Sequence, residues 1–273
     1  MSVPLDVSVT GIGFWSPLLP GWPLARAVLA GVADLPATPQ PRAAPALLAP
    51  AERRRAPDTV AIALEVAARA CAMAGIDPRS LPSVFACTHG DLPINDYLCG
   101  ILATAPALCS PTRFHNSVHN AAAGYWTIGT GCMQPSTALS AWRHTFAAGL
   151  LEALVQSVAD SVPVLYVAYD VASRGPLAEV TPSDGLLAVA LVLDPSPAAR
   201  ASAGPRLHCT VQQRVLADGA PSVPVAWDAA LPDNAMRPSA PLLAALAGTA
   251  DASLLWNLGS GCLLSVEVCH DRE

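Results

Sequence analysis

The sequence predicts a layered α/β fold, on three observations. Strand-like and helix-like segments alternate from the start of the chain, as strands at 7–10 and 84–88 enclosing helices at 24–29 and 58–73. Two later segments, Val164-Leu165-Tyr166-Val167-Ala168 and residues 184–193, are nearly continuous in apolar residues, the pattern of strands covered on both faces. Residues 116–127 hold three consecutive alanines, and such a small-residue surface lets a helix sit close against neighbouring backbone in a layered core.

The elements follow in order. Val7-Ser8-Val9-Thr10 is the first strand, ended by Gly11-Ile12-Gly13, with Ser16-Pro17-Leu18 as the turn into the helix at 24–29. Residues 35–50, rich in Pro and Ala without a period, read as an irregular surface connection. A helix runs from Asp58, a candidate N-cap, to Met73 and stops at Ala74-Gly75. After a turn at 77–82, residues 84–88 are a buried strand running into His89-Gly90-Asp91, and helices are expected at 97–102 and 116–127. Residues 137–142 read as the innermost strand, followed by a helix at 143–158 and a strand at 164–168. The strand at 184–193 ends at Asp194-Pro195-Ser196-Pro197. Alternating polarity makes 207–215 an edge strand, 223–241 an irregular Pro-rich stretch, and 241–247 a short helix before a closing strand at 263–268.

Composition excludes several function classes. Of 273 residues 52% are hydrophobic and 13% charged, enough for one large core. No apolar run reaches the roughly 18 residues of a membrane span. The start Met1-Ser2-Val3-Pro4-Leu5-Asp6 lacks the basic and apolar regions of a signal peptide, so a cytoplasmic location is expected. A net charge of −6 argues against nucleic acid, because phosphate backbones need clustered cations, and the one basic run, Arg53-Arg54-Arg55, reads as a solvated face. The eight cysteines form no Cys-x-x-Cys pair, so buried free thiols are expected rather than a metal site or a disulfide framework, and no cofactor is called for. All fifteen basic residues are arginines, for the sequence contains no lysine. Gly11-Ile12-Gly13 and Gly129-Thr130-Gly131 lack the context of a dinucleotide fingerprint.

The motif order carries a family resemblance. Val9-Thr10-Gly11-Ile12-Gly13, Ser16-Pro17-Leu18, Ala72-Met73-Ala74-Gly75-Ile76-Asp77, Ser110-Pro111, Asn120-Ala121-Ala122-Ala123-Gly124, Gln134-Pro135-Ser136 and Asp184-Gly185 occur in the order of a β-ketoacyl synthase. Near the other end, Asn257-Leu258-Gly259-Ser260-Gly261 resembles the Gly-rich turn that ends such enzymes. The chain thus resembles a truncated ketosynthase of the thiolase fold, specifically the chain-length-factor subunits of aryl polyene and type II polyketide biosynthesis. The resemblance implies a layered α-β-α domain over 1–273, with a complete N-terminal half to about residue 200 and a strongly shortened remnant from about 201 to 273.

Laid over the family's active-site run without a gap, the nucleophilic cysteine falls on Arg143, which cannot carry an acyl thioester. The family's catalytic lysine cannot exist in a lysine-free chain, its histidine motif is not found, and little chain separates Val215 from Asp251 to hold them. A register shift onto Thr137-Ala138 would put Leu139 at the nucleophile, which is equally inert. The resemblance therefore implies a non-catalytic subunit that pairs as a heterodimer with a competent ketosynthase, acyl carrier protein being met through that partner. Such folds dimerise through the strand before the nucleophile position.

Trp142 and Arg143 mark the altered centre; Arg143 fits either a plug or interface ion pair, or an arginine whose stem packs while its head reaches solvent. Thr112, Arg113, Phe114, His115 and Asn116 align with the loop that faces the partner's acyl tunnel, where bulk would limit chain length; ordinary interface packing is the alternative. Asn120 reads as a cap or core hydrogen-bonding residue, His144 as a helix-start residue, and His89 and Asp91 as loop-capping residues rather than an acid/base pair with Asp96. Two other readings stand beside the main one: an acyl-transfer or malonyl-decarboxylating enzyme using Cys132 or Cys109, and a scaffold that binds acyl carrier protein, against which the acidic balance speaks.

Overall fold

Eight strands join in one mixed sheet of order β3-β2-β4-β5-β1-β6-β8-β7. The structure, a computed structural model, describes residues 4–202, 204–213 and 225–270. The elements are β1 (Leu5–Trp15), α1 (Trp22–Leu29), α2 (Pro50–Arg55), α3 (Asp58–Ala74), β2 (Ser83–Ala86), α4 (Leu92–Thr104), α5 (Pro111–His115), α6 (Ala121–Thr130), β3 (Ser136–Leu139), α7 (Thr145–Asp160), β4 (Val164–Asp170), β5 (Leu187–Asp194), α8 (Pro197–Ala201), β6 (Arg206–Gln213), α9 (Val225–Asp228), α10 (Ala240–Ala247), β7 (Ala252–Gly259) and β8 (Cys262–Cys269). Strands β3, β2 and β4 run parallel, and every other neighbouring pair is antiparallel.

The sheet is covered on both faces. On one, α3 and α6 close over Trp15, Phe85, Leu165, Val167, Ala190 and Val192. On the other, α1, α7 and α10 cover Val9, Phe14, Tyr166, Val189 and Leu191. Residues of β4 and β5 alternate between the two cores, which explains why neither strand shows polar alternation. The Gly11-Ile12-Gly13 motif serves this layering. A Cβ on Gly11 would lie 2.1 Å from the Ala70 carbonyl oxygen and one on Gly13 1.9 Å from that of Val66, so the glycines let α3 lie directly on β1.

The chain after residue 200 completes the same core instead of forming a second one. Trp227 stacks on Phe14 with ring centroids 5.3 Å apart, and Trp256 meets Phe146 at 5.8 Å. Met236, Leu242, Leu243 and Leu264 pack into the core beneath α7. The layered α-β-α arrangement is thus present, and the described chain after residue 200 adds β6, β7, β8 and short helices to it.

Several boundaries differ from the sequence reading, each for a local reason. Asp58 does not cap α3: Pro57 holds that position, and Asp58 pairs with Arg42 at 2.9 Å. The helix expected at 116–127 starts at Ala121, because Pro111–His115 forms its own turn capped by the Ser110 hydroxyl. Asn120 precedes α6 without a side-chain capping bond. The strand expected to be innermost, β3, lies at the sheet edge and is only half-buried. The strand expected at the edge, β6, sits between β1 and β8. Its alternation has another cause: Leu207 and Cys209 face the core while His208 and Thr210 face the open side, where His208 meets Asp6 across β1 at 2.6 Å. Residues 214, 215, 223 and 224 of the segments expected there, and the start 1–3, lie outside the described residues. Among the described residues no helix is long and apolar enough to cross a membrane.

Candidate functional site

The parallel strands β2, β3 and β4 end together, and a cavity of about 510 Å³ opens at that end. In parallel sheets this is where ligands bind. Thr88, just past β2, and Trp142 and Arg143, just past β3, line it, together with Thr181, Asp233, Asn234 and Arg237 from later segments. The volume falls within the range of small-molecule sites.

The turn from β3 into α7 is tight and strained. Trp142 takes a φ of 51°, unfavourable for a bulky residue and a mark of special sites. The buried Thr145 holds it there: its hydroxyl accepts from the Ala141 N–H at 3.0 Å and donates to the Trp142 carbonyl at 2.7 Å. The Ser140 hydroxyl donates to the Thr88 carbonyl at 2.6 Å, fastening this turn to the end of β2. Deeper in, the Tyr166 hydroxyl donates to the Phe146 carbonyl at 2.6 Å and fixes the first turn of α7. The elbow is thus built to present a side chain into the cavity, and the side chains presented are Trp142 and Arg143.

The Arg143 guanidinium lies over the Trp142 ring, 4.6 Å from its centroid, a cation–π contact. Both residues are exposed, and Arg143 makes no ion pair among the described residues. The packed group is thus the guanidinium head itself, held on Trp142 at the lining of the cavity. His144 is half-buried under the β7–β8 hairpin: a Cβ on Gly259 would lie 3.4 Å from its Cδ2. The Asn257–Gly261 segment is therefore a hairpin tip resting beside the turn that carries Trp142, Arg143 and His144.

The far wall is organised by Asn234, which sequence reasoning missed. Its Nδ2 donates to the carbonyls of Asp170, Asp184 and Gly185 at 3.3, 3.0 and 3.4 Å, and its Oδ1 accepts from the Met236 N–H at 2.9 Å. One amide thus ties the end of β4 to the turn before β5 and to the loop before α10. Asp184-Gly185 has its physical reason here, since Gly185 adopts a φ of 59° and a Cβ there would lie 2.9 Å from Pro232. Beside it, burial pushes the Asp170 carboxyl up from its ordinary range, while hydrogen bonds from Thr88 and the Val171 N–H pull the other way. Arg237, also in the wall, is spoken for by Asp228 and by the carbonyls of Leu231 and Pro232.

None of the eight cysteines lines this cavity. Cys132 is buried with its thiol on the Leu81 carbonyl, and Cys109 sits between α4 and α5. Burial holds the Cys87 thiol well above its ordinary value. Nor do histidines gather here. His119 bonds the Cys87 carbonyl at 2.7 Å, and His115 packs edge-on against Tyr125 at 6.5 Å.

Thr112, Arg113, Phe114, His115 and Asn116 do not join Trp142 and Arg143 in one cavity. Thr112, Arg113 and Asn116 line a second cavity, of about 560 Å³, on the α3 side of the β4 end. His115 lines a third with Tyr125 and Ile128. Phe114 points outward, 66% exposed, and Arg113 lies over the Tyr97 ring at 3.9 Å. Asp91 caps α4 by accepting from the Ile94 N–H and takes a second bond from Thr59, both at 2.9 Å, while Asp96 abuts Gly175.

The free side of β3 completes the site. The Ser83 and Cys87 N–H groups donate to the Pro135 and Leu139 carbonyls, so odd-numbered residues of β3 face β2. By the strand's period, the backbone of Ser136, Ala138 and Ser140 faces outward. Around this edge stand Ile128, Met133 and Trp142, which are 84%, 93% and 49% exposed.

Comparisons with known proteins agree with this architecture. A family model described as β-ketoacyl synthase, N-terminal domain, matches residues 29–232. A chain of the ketosynthase (ApeO) in complex with its chain length factor (ApeC) from Xenorhabdus doucetiae is similar at 22% identity and a TM-score of 0.67, covering 96% of this chain and 98% of that one. The ishigamide ketosynthase/chain length factor gives 16% identity and a TM-score of 0.69 over 98% and 100%. The type II polyketide synthase assembly AntDE:AntF, an acyl carrier protein in complex with its ketosynthase bound to the hexaketide, gives 13% and 0.68 over 97% and 99%. No curated protein matches the sequence.

Proposed function

Since the chain belongs to the β-ketoacyl synthase family, through that family's N-terminal domain, we propose that it is a non-catalytic partner subunit of an active ketosynthase, a chain-length-factor-like protein. The observation that carries this reading is the elbow after β3, which offers Trp142 and Arg143 to a retained cavity that no cysteine lines. A condensing enzyme holds its acyl chain on a thiolate and stabilises the enolate with polar donors, and this chain has neither the thiol at that place nor any lysine. The condensation takes place on the partner's cysteine.

Pairing is supported by the unpaired outer edge of β3 and the apolar side chains beside it, an arrangement that invites a second strand. Two structures similar in fold are described as a ketosynthase with a chain length factor, and a third as an acyl carrier protein in complex with its ketosynthase. In the heterodimer Thr112, Arg113, Phe114, His115 and Asn116 would face the partner and limit the acyl tunnel, and acyl carrier protein would be engaged through the partner. The sheet shared by both parts of the chain supports one domain over 1–273, with the N-terminal half ending near residue 200. Aryl polyene or related polyketide synthesis in the cytoplasm is the setting that fits such a subunit.

Co-expression with a ketosynthase that carries its own nucleophilic cysteine tests the reading. The expected result is a stable one-to-one complex that condenses malonyl units, loses activity when the partner's cysteine is removed, and does not regain it through Arg143→Cys in this chain. A soluble monomer indifferent to any ketosynthase, or condensation by the chain alone, overturns it.

A further inference from the structure

The second cavity, on the α3 side of the β4 end, gathers charge in a way the acidic sequence does not suggest. Arg42, Arg54, Arg55, Arg113 and Arg174 line it, five of the fifteen cations of the chain, from four separate segments. Only two acids accompany them. Asp58 is paired with Arg42, and Asp91 is engaged by Thr59 and the Ile94 N–H, its carboxyl pushed up by burial. The guanidinium groups of Arg54, Arg55 and Arg174 have no partner among the described residues. Concentrating like charges without a counterion raises the energy of a fold, so an arrangement of this kind favours the arrival of an anion.

Two further observations point to a ligand. Asn116, 3% exposed, lines the cavity with a buried Oδ1 that has no hydrogen-bond partner. Being an acceptor, that oxygen would be satisfied by an O–H or N–H donor on the remainder of a ligand, not by a phosphate oxygen. The first turns of α3 and α4 also line the space, adding the positive ends of two helix dipoles to the arginines. The run Arg53-Arg54-Arg55, expected to be a solvated face, is divided by its short helix. Arg53 turns back to the Leu48 carbonyl at 2.9 Å, while Arg54 and Arg55 turn to the cavity.

We propose that this cavity is a binding site for a small molecule bearing a diphosphate group, held by the forked guanidinium groups of Arg54, Arg55 and Arg174, with a hydrogen-bond donor on the rest of the molecule meeting the Asn116 oxygen. Guanidinium pairs match the oxygens of phosphate groups two at a time, and at about 560 Å³ the cavity has room for a ligand larger than the diphosphate itself. The site is separate from the Trp142–Arg143 cavity, and since Thr112, Arg113 and Asn116 belong to the segment proposed above to face the partner, pairing would cover part of it.

The test is calorimetric titration of the purified chain, or of its complex if it purifies only so, with inorganic pyrophosphate. Saturable binding at one site per chain is expected. Arg55→Ala and Arg174→Ala, both at exposed positions, should each weaken it about tenfold or more, the loss of a charge-assisted contact. Arg26→Ala, on an exposed position of α1, should leave it unchanged, and melting curves should show all three variants folded. No saturable binding, equal binding by the arginine variants, or arginine-dependent binding of duplex DNA or of an acidic protein without binding of pyrophosphate would each overturn the assignment.

Discussion

Replacing Ala138 by proline probes the outer edge of β3 while leaving its inner edge intact. The inner ladder to β2 uses Pro135 and Leu139, and by alternation Thr137, so the Ala138 N–H faces away from the sheet. Proline is tolerated at such an edge position, and the restriction it places on the preceding residue is one that Thr137, already extended in β3, obeys. Alone, the chain should melt within about 4 °C of the unaltered protein, the shift that roughly 1 kcal/mol produces in a domain of this size. In the complex, the substitution deletes a donor in the middle of a strand pairing and leaves the opposing carbonyl buried and unsatisfied, at about 1–3 kcal/mol. That corresponds to roughly a fivefold to 150-fold weaker dissociation constant, and the pyrrolidine ring in the seam adds to it. Biolayer interferometry against the immobilised ketosynthase reads the constant, with Ala138→Val, which keeps the N–H, as the control. Unchanged affinity of a folded Ala138→Pro chain would refute pairing through β3.

Other expectations follow from the same geometry. Gly185→Ala puts a side chain on a φ of 59° and 2.9 Å from Pro232, so it should lower stability by about 2 kcal/mol or more, seen as a fall in melting temperature. Because burial raises the Asp170 carboxyl, its contribution to stability is fully present below the unfolded value near 3.8 and is lost as pH rises through the higher folded value; melting across acid to neutral pH should show this decline, and Asp170→Asn should flatten it. With the Cys71 thiol raised to about 12 and that of Cys87 also raised, both by burial, and Cys99 exposed, iodoacetamide followed by peptide mass mapping should label Cys99 quickly and the other two only on unfolding.

The layered fold was legible because its central strands carry their environment in their composition. Val164–Asp170 and Leu187–Asp194 are apolar throughout since both faces are covered, and no arrangement other than a sandwiched sheet suits such strands. Position within the sheet was not legible in the same way. Ser-Thr-Ala-Leu in β3 has a composition that a buried or an edge strand can share, and its edge location is decided by which strands pair, a long-range matter. Likewise β6 alternates because α3 does not reach that part of the sheet, not because it lacks a neighbour. Proline at 111 and the Ser110 cap ended one helical turn locally and split the helix that alanine content alone had extended backward to residue 116.

At the candidate site, sequence order points to Trp142 and Arg143 because the turn after β3 is a local motif, a strand running straight into a helix, and both residues line the cavity there. The opposite wall could not be read that way. Asn234 stands in a Pro-rich stretch without period, and its role depends on three carbonyls from residues 170, 184 and 185 converging on one amide, which only the folded chain brings about. The same holds for the five arginines of the second cavity, separated by up to 132 residues in sequence between Arg42 and Arg174 and gathered at one end of β4. The walls of the first cavity come from the strand ends, residues 180–182 and the loop before α10, and Trp142, Thr145, Asn234 and Gly185 fix its shape without reference to any thiol. In the non-catalytic subunit proposed above, this ordered, ligand-sized space would act through shape and charge rather than through bond-making.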